Sequence, residues 1–411
     1  MAAPEGYAPA DLMQAIAPSL SGTNLERAGD HNQRVTLQAI RVGGQTTRAG
    51  LVEVTGLTPP AIANITKRLL AEGLILEAGR QHGGRGQPAI VLEMNPDGCF
   101  SIGVNIDRDH ITVLALDLLG NVRARSSREI DFAPPEVVAR FFREEVTAML
   151  ARPDLPAGRF IGIGVAVPDD IGRVNLARWP EAYAAWRDVN IASLFRGMLP
   201  VPLPVFVEND ATAAALGELQ FGHGLRHRTF FYILISGGLG GGIIIDGVHF
   251  RGARGRSGEI GFLPIRSPRT DARTLQEAVS LSALYDLLAK AGHAVSQPDQ
   301  LAALRGTAAQ GVVDGWVDLA ADLMTDPLIA TTCLVNPDAI FLGGRLPADL
   351  VDRLAAALNQ RLGRHVDVIP EVAPVLRGAM AADAPAIGAG MLPFNDRLLP
   401  TRSALMKTAE D

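Results

Sequence analysis

The four residues Asn95-Pro96-Asp97-Gly98 are all turn formers, and the spacing of apolar side chains changes across them. Ahead of them, apolar residues recur at helical spacing in short stretches. Behind them, apolar runs of strand length alternate with helical segments. One layer of structure cannot follow both patterns, so the chain is expected to carry a small N-terminal module at 31–95 and a larger α/β part after it. A length of 411 residues is too much for one ordinary domain and enough for two or three. Residues 1–30 mix Ala, Pro, Gly and Ser with little periodicity and are expected to form a flexible arm.

Within the module, helices are expected at about Asn32–Arg41, at Arg48–Thr55 with Thr47 as its cap, and from Pro59, with Thr58 as N-cap. On the third helix Ile62, Ile65, Leu69 and Leu70 share one face, which leaves Ala61, Asn64, Lys67 and Arg68 on the other. Two short strands, Leu74–Glu77 and Ala89–Glu93, enclose a basic loop with Arg80 and Arg85, the pattern of a wing. From His31 to Leu92 there are seven Arg and Lys against three acids, a local +4, whereas the whole chain carries -6. Two helices joined at a Gly-containing turn, a second helix offering Asn and basic side chains, and a basic wing suit duplex operator DNA. Asn pairs with an adenine edge, Lys or Arg reaches guanine or phosphate, and the wing follows the backbone. The alternative is a small helical bundle for protein contacts, with Lys67 and Arg68 as a solvated face.

Beyond the turn, strands are expected at Phe100–Ile106, Ile111–Asp117 and Arg123–Ile130. A helix at Pro135–Leu150, strands at Phe160–Val167 and Val205–Glu208, and a helix at Ala211–Phe221 complete a first round. A second round starts at Phe230–Ser236, passes a Gly-rich turn, and ends in helices, a strand at Ala339–Leu342 and a last helix near Pro385–Leu392. The expected organisation is a first lobe at 96–210, with a C-terminal helix at about 383–395 packing back on it, and a second lobe at 211–382. A cleft should lie between the lobes. Cys99 and Cys333 stand alone without a second Cys or His at zinc spacing and read as buried small apolar side chains. No apolar stretch is long enough to span a bilayer, so a cytoplasmic protein without membrane contact is expected.

Several segments resemble the ROK proteins (repressors, open reading frames and kinases), in particular the repressor branch with an N-terminal winged helix. They are Glu208-Asn209-Asp210-Ala211 followed by Ala213–Glu218, the glycine-rich run Ser236–Gly242, Gly258-Glu259-Ile260-Gly261 and Leu342-Gly343-Gly344. The resemblance implies a winged helix-turn-helix followed by a two-lobed actin-like, ribonuclease H-like domain of the sugar-kinase type. In the family's kinases an Asp at the place of Asp210 takes the proton of the attacking sugar hydroxyl, a general-base role. Asn209 and Glu259 are implied as sugar contacts, and Glu277 falls where a last sugar-binding Glu would stand. Helix capping is the plainer role for Asn209 and Asp210, and both roles are compatible. Phe262 replaces the His that usually follows Gly-Glu-Ile-Gly, and residues 262–277 lack the family's Cys-rich zinc loop, so no structural metal is expected.

The pattern breaks at the nucleotide site. The kinases carry Asp, any residue, Gly, Gly, Thr, whereas this chain has Asn105-Ile106-Asp107-Arg108-Asp109. The first carboxylate is gone, both glycines have gained side chains, and Asp107 and Asp109 would lie beside a polyphosphate. Two like unit charges about 4 Å apart cost roughly 4 kcal/mol at an effective dielectric near 20. The expectation is therefore a non-enzymatic, sugar-responsive DNA-binding regulator, a homodimer or homotetramer without cofactor, in which a sugar bound between the lobes changes the spacing of two winged helices. The alternatives are an ATP-dependent sugar kinase with an attached DNA-binding domain, using Asp210 as base, and a regulator that answers to a protein partner.

Overall fold

The structure, a computed structural model, describes residues 25–81, 88–169, 171–172, 180–199, 202–369 and 371–400. It divides into two compact units. Among the described residues, one holds Leu25–Cys99, the turn at Asp117–Leu119 and Phe394–Pro400; the other holds those of Phe100–Leu116 and Gly120–Pro393.

The first unit is a winged helix-turn-helix. Helix α1 (Leu25–Gly43), strand β1 (Thr46–Thr47), α2 (Arg48–Thr55), α3 (Pro59–Ala71), β2 (Ile75–Gln81) and β3 (Ala89–Met94) follow one another, with the strands ordered β1-β3-β2. The Thr47 hydroxyl accepts from the Gly50 amide at 3.2 Å, which fixes the start of α2. Leu37 and Ile40 of α1, Leu51 of α2 and Ile62 and Leu69 of α3 close the small core. Thr66 is buried among them and accepts from Arg48 Nε at 3.0 Å. Helix α1 begins seven residues ahead of the expected Asn32, inside the stretch read as an arm. Gly29 is the one poor helix former there, and its cost of about 1 kcal/mol does not stop a helix anchored further on. Arg34 of α1 donates to the carbonyls of Asp396 and Leu399 at 2.6 and 3.3 Å, which ties the end of the chain to this unit.

The second unit repeats one design twice. Its first five-stranded sheet has the order β6-β5-β4-β7-β8, from β4 (Phe100–Ile106), β5 (His110–Asp117), β6 (Val122–Glu129), β7 (Phe160–Val167) and β8 (Val205–Asn209). The second has the order β11-β10-β9-β12-β13, from β9 (Phe230–Ile235), β10 (Leu239–Ile245), β11 (Val248–His249), β12 (Ala339–Gly344) and β13 (Val375–Arg377). In each, three antiparallel strands form a meander and two parallel strands extend it, as crossover helices require. Helix α4 (Pro135–Leu150) packs Phe141 and Phe142 against the first sheet, with Trp186 and Phe195 of the short helix α5 (Ile191–Phe195) completing that core. Helix α6 (Asp210–Phe221) leads into the second sheet, whose other face is covered through α7 (Leu275–Ala278), α8 (Leu281–Lys290), α9 (Pro298–Ala302), α10 (Gln310–Val335) and α11 (Ala348–Leu362).

Helix α12 (Ala384–Arg397) carries Ser101 against its Gly390 carbonyl at 2.6 Å, and Gly388 lies directly on the Ala213 carbonyl of α6, leaving no room for a Cβ. The glycine-rich run departs from expectation. Only Ser236–Gly238 turns, and Gly240–Gly242 are part of strand β10. A Cβ on Gly242 would stand 2.7 Å from Ala215 Cβ, so its absence lets α6 lie close on β10. The segment from Phe262 to Glu277 is held by a bridge between Pro264 and Thr274 and by Arg269, paired with Asp318 at 2.7 Å and Asp322 at 3.3 Å. Cys99 is buried as expected but Cys333 is exposed, on the outer side of the last turn of α10. Among the described residues no helix is long and apolar enough to cross a membrane.

Candidate functional site

A groove between the two sheets is lined by Asp107 and Arg108, by Pro168 and Asp169 beyond β7, and by Asn209 and Asp210 at the end of β8. Ser236, Gly238, Glu259, Phe262 and Gln276 come from the other sheet and its connections. Most of these residues follow the carboxyl ends of strands, where an open α/β sheet leaves its crevice. Asn209 Oδ1 accepts from the Thr212 amide at 3.0 Å and Asp210 Oδ1 from the Ala211 amide at 2.7 Å, so both residues cap α6. The Asn209 amide nitrogen and the second Asp210 oxygen are the groups these caps leave over. Asp210 is 8% exposed. Burial, with Asp107 beside it, pushes its carboxyl up to about 7. Glu259 is likewise pushed up to about 7, first by burial and then by a hydrogen bond to Asp169, while Arg256 lies 3.3 Å from its Oε1.

Glu277 does not join this group. It is exposed on α7 and its Oε2 accepts from the Arg273 amide at 2.8 Å; its neighbour Gln276, 9% exposed, lines the groove instead. One residue along a helix is a turn of about 100°, enough to move a side chain from one face to another. Asp169 and Gln276 were not singled out from the sequence, although a charged residue directly after the apolar run Phe160–Val167 was a usable signal. The groove is narrow and open to solvent.

The Asp107–Asp109 turn after β4 lies against the Ser236–Gly238 turn after β9. Arg108 lies over Gly238, its guanidinium where a side chain on that glycine would project. Its amide donates to Asp107 Oδ1 at 2.7 Å. Arg345, which follows β12, reaches across to the other sheet and pairs with Asp109 at 2.9 Å and Glu129 at 2.5 Å. Asp109 also pairs with His110 Nδ1 at 2.7 Å, and His110 Nε2 lies 3.2 Å from Asn105 Nδ2. Burial alone would raise the Asp109 carboxyl; the hydrogen bond and charge of His110, together with Arg345, hold it below the ordinary carboxylate range. Asp107, Asp109 and His110 bring one donor atom each within 4.8 Å of one another, the spacing of a metal site. The Arg345 guanidinium already supplies positive charge there.

A separate cavity of about 520 Å³ is lined by Arg125, Glu129, Arg345, Arg377 and Asp383. Its other arginines are also paired, Arg125 with Asp383 at 2.7 Å and Arg377 with Asp352 at 2.8 Å.

On α3, Asn64, Lys67 and Arg68 are exposed and Ala61 is half-buried. Arg68 pairs with Glu72 at 3.0 Å and approaches Asp30 at 3.8 Å. Arg80 is exposed on β2, while Arg85 lies outside the described residues. The winged-helix surface therefore offers Asn64 and Lys67 outward, with the Arg68 charge partly offset.

The sequence model of the ROK family matches residues 101–395. A protein of Sinorhizobium fredii, the uncharacterized protein y4fQ, is 31% identical over 88% of this chain and 90% of its own length. The xylose repressor of Bacillus spizizenii is 32% identical over 57% of this chain and 60% of its own length. Among solved structures, a ROK family transcriptional regulator homologous to the E. coli MLC protein shares the fold with a TM-score of 0.67 at 23% identity, covering 90% of this chain and 98% of its own. The motifs at Glu208–Glu218 and Gly258–Gly261, the paired five-stranded sheets and these matches agree, and the chain belongs to the ROK family.

Proposed function

We propose that this protein is a transcriptional repressor that holds operator DNA through its winged helix and responds to a sugar bound between the two sheets. The observation that carries this reading is the contrast within the groove. Its Asp210 end presents carboxyl and amide groups, while its phosphate end is filled by Arg108 and by Arg345 paired to Asp109 and Glu129. Asn209, Asp210, Glu259 and Gln276 would receive sugar hydroxyls, since carboxylates accept and amides both donate and accept. Glu277 would act one layer out, on the Arg273 backbone. Similarity to xylose repressors supports the regulatory direction and a carbohydrate effector. Without a carboxylate at residue 105 or open glycines at 107 and 108, phosphoryl transfer from a nucleotide is not supported.

The DNA contacts would come from Ala61, Asn64, Lys67 and Arg68 on α3, with Arg80 and Arg85 along the backbone, in a homodimer or homotetramer that engages two half-sites. A sugar entering this narrow groove would shift the balance between arrangements of the two sheets, and repositioning of paired winged helices would follow as a population shift. The test is fluorescence anisotropy with the chain's own promoter duplex, titrated with D-xylose, D-glucose and D-mannose. Binding that weakens steeply with salt and is changed at least about fivefold by one sugar is expected. No salt-sensitive DNA binding, or binding indifferent to every sugar, would sink the proposal.

A further inference from the structure

We infer that Arg34 couples the groove to the winged helix: it holds the end of α12, the helix through which a change at the groove reaches the DNA-reading surface. This rests on the repressor reading above and deepens it by naming the residue that links effector to DNA. One helix belongs to both compact units, because they divide between Pro393 and Phe394, inside α12. Its two ends are held in different ways.

The first turns of α12 meet their neighbours backbone to backbone. Gly103 of β4 lies against the Ala386 carbonyl, Gly164 of β7 against that of Ala389, and Gly388 against the Ala213 carbonyl of α6, each without room for a Cβ. Ser101 of β4 adds its bond to the Gly390 carbonyl at 2.6 Å. These are the three elements that carry the first sheet's groove residues, since Asp107 follows β4, Asp169 stands just beyond β7, and Asp210 opens α6. Side chains between two elements take up a small shift by changing rotamer. Contacts made by bare backbone have nothing to change, so a displacement of these elements displaces α12.

At its other end a helix leaves its last carbonyls without intrahelical donors. The amides that fold back here, those of Leu398 and Leu399, both go to the Phe394 carbonyl. The Arg34 guanidinium serves the carbonyls of Asp396 and Leu399, at 2.6 and 3.3 Å, and brings positive charge to the negative end of the helix dipole. One turn further along α1 stands Leu37, which with Ile40 is buried in the core shared with Ile62 and Leu69 of α3. A pull on Arg34 therefore moves α1 together with the helix that presents Asn64 and Lys67.

The experiment reads coupling and binding separately. Full-length wild type, Arg34→Ala and Arg34→Lys are titrated into the promoter duplex with and without saturating D-xylose, D-glucose or D-mannose, and calorimetry gives each protein's affinity for the sugar itself. Wild type should change its DNA affinity at least about fivefold with one sugar. In Arg34→Ala that factor should fall below about twofold while sugar affinity stays within about twofold of the parent. Arg34→Lys, whose ammonium still donates to carbonyls, should keep most of the factor. A purely structural role would lower stability and leave the factor alone. Should Arg34→Ala melt well below the parent, Arg34→Gln, which keeps much of the stem but not the charge or the reach, carries the same expectation. A factor that the Ala or Gln variant leaves unchanged overturns the inference and leaves the repressor reading standing. So does a folded Arg34→Ala that no longer binds the duplex at all, because Arg34 would then belong to the DNA-binding surface and not to the link. A wild type whose DNA binding no sugar alters overturns the repressor reading and the inference together.

Discussion

The two ends of the groove hold similar chemistry in opposite states. At one end Asp210 and Glu259 have few cationic neighbours, and burial together with nearby carboxyls pushes both toward neutrality. At the other, Asp109 is met by Arg345 and His110, which hold its carboxyl below the ordinary range. Burial acts to raise all three carboxyls, and only Asp109 has partners that outweigh it. An end whose charges are already matched by the protein has little to gain from a ligand, and an end whose acceptors lack donors has much to gain from hydroxyl groups. The same arginine that matches the charge also links the sheets, since Arg345 follows β12 whereas Asp109 and Glu129 belong to the other sheet. The Arg345 end thus clasps the two sheets together, while the Asp210 end is where the proposed sugar would bind.

Breaking the clasp has the largest expected effect. In Arg345→Ala the Asp109 carboxylate keeps only His110, and Glu129 loses its partner across the groove. Removing one partner of a buried ion pair leaves an uncompensated charge, and about 3 kcal/mol of stability should go, read from urea unfolding of both proteins. A loss below about 0.5 kcal/mol would place Arg345 among ordinary surface pairs and dissolve the contrast between the two ends. Next in size is Asp210→Asn at the other end. Measured near pH 8, where the carboxyl is ionised, the variant loses a charged acceptor, and sugar affinity should fall by about 1.5 to 3 kcal/mol in calorimetric titration. Unchanged affinity would mean that the sugar does not meet this carboxyl.

A third outcome sharpens the comparison through protons. A carboxyl pushed up to about 7 in the folded chain holds a proton that the unfolded chain, at its ordinary value of 3.8, has lost. Between about pH 4 and 7 the folded state therefore binds more protons, and this group's contribution makes stability fall as pH rises through that window, then level off above it. The slope for one whole proton is about 1.4 kcal/mol per pH unit, and neighbouring titrations leave less than that. Asp107, Arg108, Asp169 and the Ala211 amide all act on Asp210, so the informative quantity is the difference between wild type and Asp210→Asn. The variant should gain relative stability as pH rises from 5 to 7. Glu259 contributes a slope of the same sign that the substitution does not remove. Parallel stability curves for the two proteins would show that Asp210 ionises as it does in an unfolded chain.

Much of the fold was legible because it is written locally. Phe100–Ile106, Pro135–Leu150 and Phe160–Val167 occupy the spans that their apolar runs and a proline at the first helical position mark out. Thr47 caps α2 as a Thr before a helix should. What escaped depends on partners distant in the chain. Nothing near Gly242 announces that Ala215 will lie against it, so a glycine run read as a turn became a strand. Arg345 is 236 residues from Asp109, and a lone Arg after Gly343-Gly344 gives no sign of its partner. Asn209 and Asp210 were legible through their motif and reach the groove. Glu277 was placed by counting along a loop, and a shift of one position exchanged it for Gln276.

The smallest expected effect is none at all, and it addresses whether the phosphate end could be reopened. Asn105→Asp restores the carboxylate that the family's kinases carry at this position, in a residue that is 2% exposed and 3.2 Å from His110. If a missing metal-binding carboxylate were the sole defect, this change would bring back sugar-dependent ATP consumption. Two obstacles remain, however. Arg108 still lies over Gly238, and Arg345 is still held by Asp109 and Glu129. A new acid beside His110 also adds negative charge next to Asp107 and Asp109, which disfavours a polyphosphate further. A coupled assay with ATP, Mg²⁺ and the sugars used for titration should read background in wild type and in Asn105→Asp alike. Turnover approaching one per second in the variant, a rate of ordinary enzymatic size, would show that the arginines do not close the phosphate end and that the two ends differ by a single carboxylate.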